Sequence, residues 1–173
     1  LTAVSLVFPV QNFMIAVAAG TGVGVNALLS KRLGEKKFEE ANKTANTAVF
    51  LALCNYLFFL VIGVLFSDMF FKMQTDITEI IEYGKTYLLI CTACSFGMFG
   101  QFCFERLLQA TGRTVCTMIT QTTGAVINLI FDPILIFGLF GFPKMGIAGA
   151  AVATVAGQIV AMFFAFFFNQ KQN

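Results

Sequence analysis

The residues with the most chemistry to offer stand in "NLIFDPILIF", residues 128–137, where Asn128, Asp132 and Pro133 interrupt a run of aliphatic and aromatic side chains. An ionised carboxylate is expensive to hold in a low dielectric, so an aspartate in such a run implies a partner, a neutralising proton or a bound cation. Asn128 precedes Asp132 by one helical turn, and its amide can hydrogen-bond either protonation state. Pro133 lacks a backbone N–H. Inside a helix it frees the carbonyl of Leu129 and favours a kink, the kind of break that transporters place beside ion sites. The chemistry expected of Asp132 is the loading and release of a proton or a sodium ion. The competing reading makes Asp132 and Pro133 a structural kink whose carboxylate is bonded to a neighbouring helix.

The pattern extends along the helix that would carry it. At about 100° per residue, Thr117, Gln121, Gly124, Asn128 and Asp132 share a stripe about 80° wide, with Val115, Met118, Ile119, Ile127, Ile130 and Phe131 on the other faces. Such a stripe cannot face lipid, where its polar groups lack partners, so it lines another helix or a water-filled cavity. With a helix end at Phe140, Asp132 sits about 12 Å inside, near the middle of a ~30 Å hydrocarbon slab.

That slab is dictated by composition. The chain is 58% hydrophobic and 12% charged, and 22 of its 173 residues are Phe; the mean hydropathy is +0.83. These values lie outside the range of soluble domains. No formal charge occurs from Leu1 to Ser30, Thr44 to Ser67, Thr86 to Phe104, Thr114 to Phe131 or Met145 to Gln170. Each stretch approaches or exceeds the roughly 20 residues of a spanning helix, the fourth by continuing past Asp132. The fold expected is therefore all-α and polytopic, with five transmembrane helices at about Ser5–Ser30, Asn42–Phe66, Tyr83–Leu108, Thr114–Phe140 and Gly146–Phe168. Residues 67–85 are expected to form a short amphipathic helix at the outer interface, and "TGRT" and "GFPKMG" read as tight turns.

Eight of the eleven Lys and Arg residues fall on one side of this topology: Lys31, Arg32, Lys36, Lys37, Lys43, Arg106, Arg113 and Lys171. The positive-inside rule makes that side cytoplasmic and the chain a multi-pass protein of the cell (inner or plasma) membrane. The first helix then enters from outside. A start at Leu1 within an apolar run, and an end at Asn173, lead us to expect a piece of a larger polytopic protein lacking a preceding helix. The first run exceeds a signal-peptide h-region, and its basic cluster follows it. A net charge of +2 reflects the inside bias and gives no nucleic-acid surface.

Other constellations are weaker. In the fifth helix Gly149, Ala153 and Gly157 form a small-residue row suited to close packing, and Thr154 and Gln158 are candidates to line the cavity of Asp132. Pro9, Gln11 and Asn12 could bend the first helix and wet a cavity, or simply pack. Gly20, Gly22 and Gly24 do not have the G-x-G-x-x-G spacing of a phosphate loop. The five cysteines include "CTAC", but without histidine or a second pair there is no metal site, and small-residue packing is the expected role. Absence of histidine also removes the usual catalytic triads, so no enzyme and no cofactor is expected. Glu105 and Arg106 read as a snorkelling surface ion pair or, more sharply, as a gate or interhelical brace.

Four segments in order resemble the multidrug and toxic compound extrusion (MATE) transporters: "GTGVGVNALLSKRLGEKKFEEANK", "ERLLQATGR", "NLIFDPILIFG" and "MGIAGAAVATVAGQ". The resemblance covers essentially all of residues 1–173 and implies most of a six-helix N-terminal lobe of a twelve-helix transporter, namely its helices two to six. It further implies an antiporter that exports organic cations, drugs or toxic compounds by alternating access, driven by inward proton or sodium flow. In proton-linked members an Asn-x-x-x-Asp pair followed by proline contributes to a cation site, and Asn128, Asp132 and Pro133 match it; Thr154 is the candidate counterpart of a threonine in the sixth family helix. An acidic residue of the family's first helix would lie outside these 173 residues. The implied partners are a small organic cation, the bilayer and the remaining helices. Two alternatives stand beside this reading. A flippase for lipid-linked or polysaccharide precursors should show a basic cavity, and a non-transporting membrane scaffold should tolerate loss of the Asp132 charge.

Overall fold

The computed structural model describes residues 2–172. Six α-helices follow one another along the chain: α1 (Thr2–Gly34), α2 (Phe38–Lys72), α3 (Thr78–Ala93), α4 (Phe96–Ala110), α5 (Thr114–Phe137) and α6 (Ile147–Gln172), with a short 3-10 turn at Leu139–Gly141. Four are long and apolar enough to cross a membrane alone, and α3 with α4 forms a fifth span bent by 41°.

Each helix buries a narrow stripe. On α1 the buried residues are Ala3, Val7, Met14, Ala18, Gly22 and Leu29, spaced by four or seven. Val7, Met14 and Leu29 head three successive apolar clusters, which run down the bundle with Phe71 and Tyr87, Phe59 and Phe99, and Ala48 and Leu107. The outer faces keep large apolar side chains exposed, among them Phe50, Leu53, Leu57, Val61 and Leu65 of α2. In a bilayer those faces meet acyl chains, so all-round hydrophobicity is the expected pattern.

The α1–α2 turn closes in a Schellman arrangement, with Lys36 left-handed at φ 58°. The Lys37 N–H bonds the Arg32 carbonyl and the Lys36 N–H bonds that of Leu33. The α4–α5 turn repeats the arrangement around Gly112, whose φ is 81°.

The third expected span differs from one continuous helix. Thr92 Oγ1 donates to the Leu88 carbonyl at 2.9 Å, Ser95 Oγ donates to that of Thr92 at 2.8 Å, and the Ser95 and Gly97 N–H groups take i−3 carbonyls. Hydroxyls that bond back to their own helix weaken its ladder and bend it. "TACSFG" carries this signal in the sequence. Residues 67–85 likewise form no separate interfacial helix; α2 runs on to Lys72 and α3 starts at Thr78. The fourth span ends at Phe137, three residues before the expected Phe140, because Gly138 adopts a left-handed cap (φ 73°) and bonds the Ile134 carbonyl. α5 continues through Pro133 as one helix.

Between α5 and α6 backbone comes close to backbone. A Cβ on Gly157 would lie 2.6 Å from the Gly124 carbonyl oxygen, and one on Gly149 would lie 2.6 Å from that of Leu135. The row Gly149, Ala153, Gly157 is buried throughout. Small residues here let two backbones touch, which brings the polar stripe of α5 against α6.

Candidate functional site

Where α5 and α6 touch, their polar side chains meet. Asn128 Nδ2 donates to Thr154 Oγ1 at 3.1 Å, and Thr154 passes its own proton to the Ala150 carbonyl at 3.0 Å. Both residues line a cleft of about 310 Å³ bounded by α1, α4, α5 and α6, together with Gln101, Gln121 and Gln158. Met98, Phe102 and Ile15 supply its apolar wall. Among the described residues no Lys, Arg, Asp or Glu lines it. A roomy, part-polar cleft with convergent amides is suited to binding a small molecule.

The stripe expected to face one cavity is divided in three. Gln121, Asn128, Thr154 and Gln158 reach the cleft. Thr117 does not; it is buried, with its hydroxyl 3.5 Å from the Glu105 carbonyl oxygen. Asp132 lies one turn beyond Asn128, outside the cleft, and its Oδ1 is buried with no hydrogen-bond partner among the described residues. Because α5 stops at Phe137, Asp132 is about 8 Å from the helix end rather than about 12 Å. Gln11 of α1 donates to the Tyr87 hydroxyl at 3.4 Å and to Cys91 Sγ at 3.5 Å, which ties α1 to α3.

A second polar centre forms around Glu105, which takes the place of an interhelical brace and not of a surface ion pair with Arg106. Glu105 is 1% exposed, and it makes no ion pair with Arg106 among the described residues. Its Oε1 accepts from Gln101 Nε2 at 2.9 Å and Thr120 Oγ1 at 3.0 Å, and its Oε2 accepts from Gln121 Nε2 at 3.0 Å. Thr120 shares its single proton with the Thr117 carbonyl, 2.8 Å away. Arg106 turns the other way, to Gln109 Oε1 at 2.6 Å, with its stem against Gly22. The available signal was the T-x-x-T-Q spacing of Thr117, Thr120 and Gln121, which places two hydroxyls and an amide on one end of α5.

A MatE family model matches residues 1–134. The probable multidrug resistance protein YoeA of Bacillus subtilis is 29% identical over 98% of this chain and 37% of its own length. The FAD transporter of Shewanella oneidensis is 30% identical over 94% of this chain and 36% of its own. The chain thus spans little more than a third of these relatives. Among solved structures, an inward-facing multidrug resistance MATE family transporter of the MOP superfamily superposes with a TM-score of 0.88 at 28% identity, over 96% of this chain and 37% of that one. An outward-facing structure of a transporter of the same description gives 0.87 at 27%, over 100% of this chain and 38% of that one.

Proposed function

This chain belongs to the MatE family, and on that premise we propose that it forms most of the N-terminal lobe of a multi-pass exporter of organic cations and drugs in the cell membrane, driven by inward flow of protons or sodium ions. The observation that carries the reading is the pairing of an uncharged, amide-lined cleft with a carboxylate oxygen, Asp132 Oδ1, that is buried and unpartnered one turn away. A half-buried carboxylate with one buried oxygen that no hydrogen bond satisfies is a place to load a proton or a monovalent cation. Asn128 connects the two, since its helix turn adjoins Asp132 and its amide bonds Thr154 in the cleft wall.

In this mechanism, neutralisation of Asp132 from outside lets α5 repack around Pro133 and weakens the hold on a cation in the cleft. Loss of the proton or ion to the cytoplasm restores the charge and rebinding. Coupling needs only that ion and drug favour different states. The similar fit to inward-facing and outward-facing relatives, 0.88 and 0.87, supports a lobe that moves largely as a body against the remainder of the transporter. A flippase for lipid-linked or polysaccharide precursors is disfavoured because no basic residue is among those lining the cleft.

The test is dye efflux by the full-length protein in liposomes under an imposed proton gradient and, separately, a sodium gradient. Wild type should move a fluorescent organic cation with one of the gradients, and Asp132→Asn should abolish gradient-driven movement while remaining folded and inserted. Undiminished transport by the variant would make Asp132 a structural residue of α5 and remove it from coupling.

A further inference from the structure

Glu105 stands outside the cleft, yet it grips two of the side chains that line it. Gln101 and Gln121 come from different helices, and each turns its amide N–H₂ group onto this one carboxylate, at 2.9 and 3.0 Å. A carboxylate accepts and does not donate, so it fixes which end of each amide faces it. Each glutamine keeps one further N–H, but with the nitrogen end held on Glu105 the carbonyl oxygen is the opposite end, left for the cleft. Asn128 repeats the logic, because its Nδ2 is held by Thr154 and its Oδ1 lies at the other end of the amide.

Resting on the transport function proposed above, we infer that Glu105 is a positioning residue that sets the cleft as a hydrogen-bond-accepting surface, so that the cleft selects cations bearing N–H donors over cations of equal charge that have none. Amidinium and guanidinium groups fit such a surface, since their planar N–H edges can meet two carbonyl oxygens at once. A quaternary ammonium satisfies neither oxygen and leaves both desolvated when it enters. Burial of Glu105 makes the arrangement durable, because turning either glutamine would point a carbonyl at a carboxylate oxygen.

The experiment measures binding of benzamidinium and N,N,N-trimethylanilinium, two aromatic monocations, to the full-length protein in nanodiscs. Wild type should hold benzamidinium about tenfold more tightly. In Glu105→Gln the new amide can donate to its neighbours and let both glutamines turn, so the ratio should fall towards one. Any change of charge at position 105 acts on both monocations alike and cancels in the ratio, which a purely structural role would not move. An unchanged ratio overturns the inference, as does a wild type that binds both equally. Should Glu105→Gln not yield monodisperse protein, Gln121→Met removes one acceptor from the cleft side, and a ratio left at the wild-type value is equally fatal. A wild type that binds neither cation overturns the transport reading and this inference with it.

Discussion

Gln121 of α5 donates its amide to Glu105 of α4 across 3.0 Å while lining the cleft between α1, α4, α5 and α6. One side chain therefore belongs both to the brace that joins two helices and to the surface that would meet a ligand. Removing the brace should loosen the lobe. Glu105→Ala leaves the Gln101 and Gln121 donors and a buried void, with Thr120 falling back on the Thr117 carbonyl. We expect a loss of about 1–3 kcal/mol, seen as a lowered midpoint for heat-induced loss of the monodisperse detergent-solubilised protein. A midpoint equal to that of wild type would show that the three hydrogen bonds contribute no net stability.

The α5–α6 contact makes a sharper contrast between two glycines. At Gly157 an added methyl would lie 2.6 Å from the Gly124 carbonyl oxygen, and backbone cannot swing aside as a side chain can. Gly157→Ala should therefore cost about 1–3 kcal/mol and widen the helix pair. At exposed Gly24 an added methyl meets nothing within 4 Å. Gly24→Ala should be neutral or stabilising by up to about 1 kcal/mol through helix propensity. Thermal midpoints of the two variants, measured side by side, should move in opposite directions or differ by several degrees.

The membrane class and the helical spans were legible because charge-free runs of spanning length have few other uses. The Asn128–Asp132 stripe was legible for a related reason, since five small or polar residues on one face of an apolar helix need shelter. Three features escaped. The α3–α4 break arises from side-chain hydroxyls at Thr92 and Ser95 competing for backbone carbonyls, which periodicity does not register. The burial of Glu105 depends on donors from Thr120 and Gln121, fifteen or more residues away; charge placement offered a surface pair with Arg106 or an interhelical brace and could not name the brace's partners. The division of the stripe into the Thr117 region, the cleft and the Asp132 region follows from the close α5–α6 crossing, which sets how far along α5 the cleft extends.

The α1–α2 turn should respond to acid. The Lys37 ammonium, 3.1 Å from Glu35, holds its carboxyl below the ordinary carboxylate value, and Lys31 and Arg32 add to the effect. A depressed folded-state pKa means that the ordering contributed by this ionised group is present above the unfolded value and is lost as pH falls through the folded one. Hydrogen exchange in residues 33–41, corrected for intrinsic rates, should therefore lose protection on acidification through that range. Glu35→Gln should remove the pH step. A step of wild-type size in the variant would place its origin elsewhere in the turn.

The link from Asp132 to the cleft runs through Asn128 and Thr154, and their hydrogen bond can be weighed. Asn128 Nδ2 donates to Thr154 Oγ1 at 3.1 Å, while the Thr154 hydroxyl is already committed to the Ala150 carbonyl. Thr154→Val keeps the shape and removes the acceptor, and Asn128→Ala removes the donor. If the pair acts as a unit, the double variant should lose less stability than the two single losses together, with a coupling of about 0.6 kcal/mol, the scale found for hydrogen bonds between helices in membranes. Under the proposed mechanism the same cycle run on gradient-driven export should show larger coupling than the stability cycle, because the amide freed in Thr154→Val can turn to Asp132 and compete with the proton or ion. Additive losses in both cycles would mean that Asn128 and Thr154 are independent neighbours, and that the cleft and the carboxylate communicate by another route.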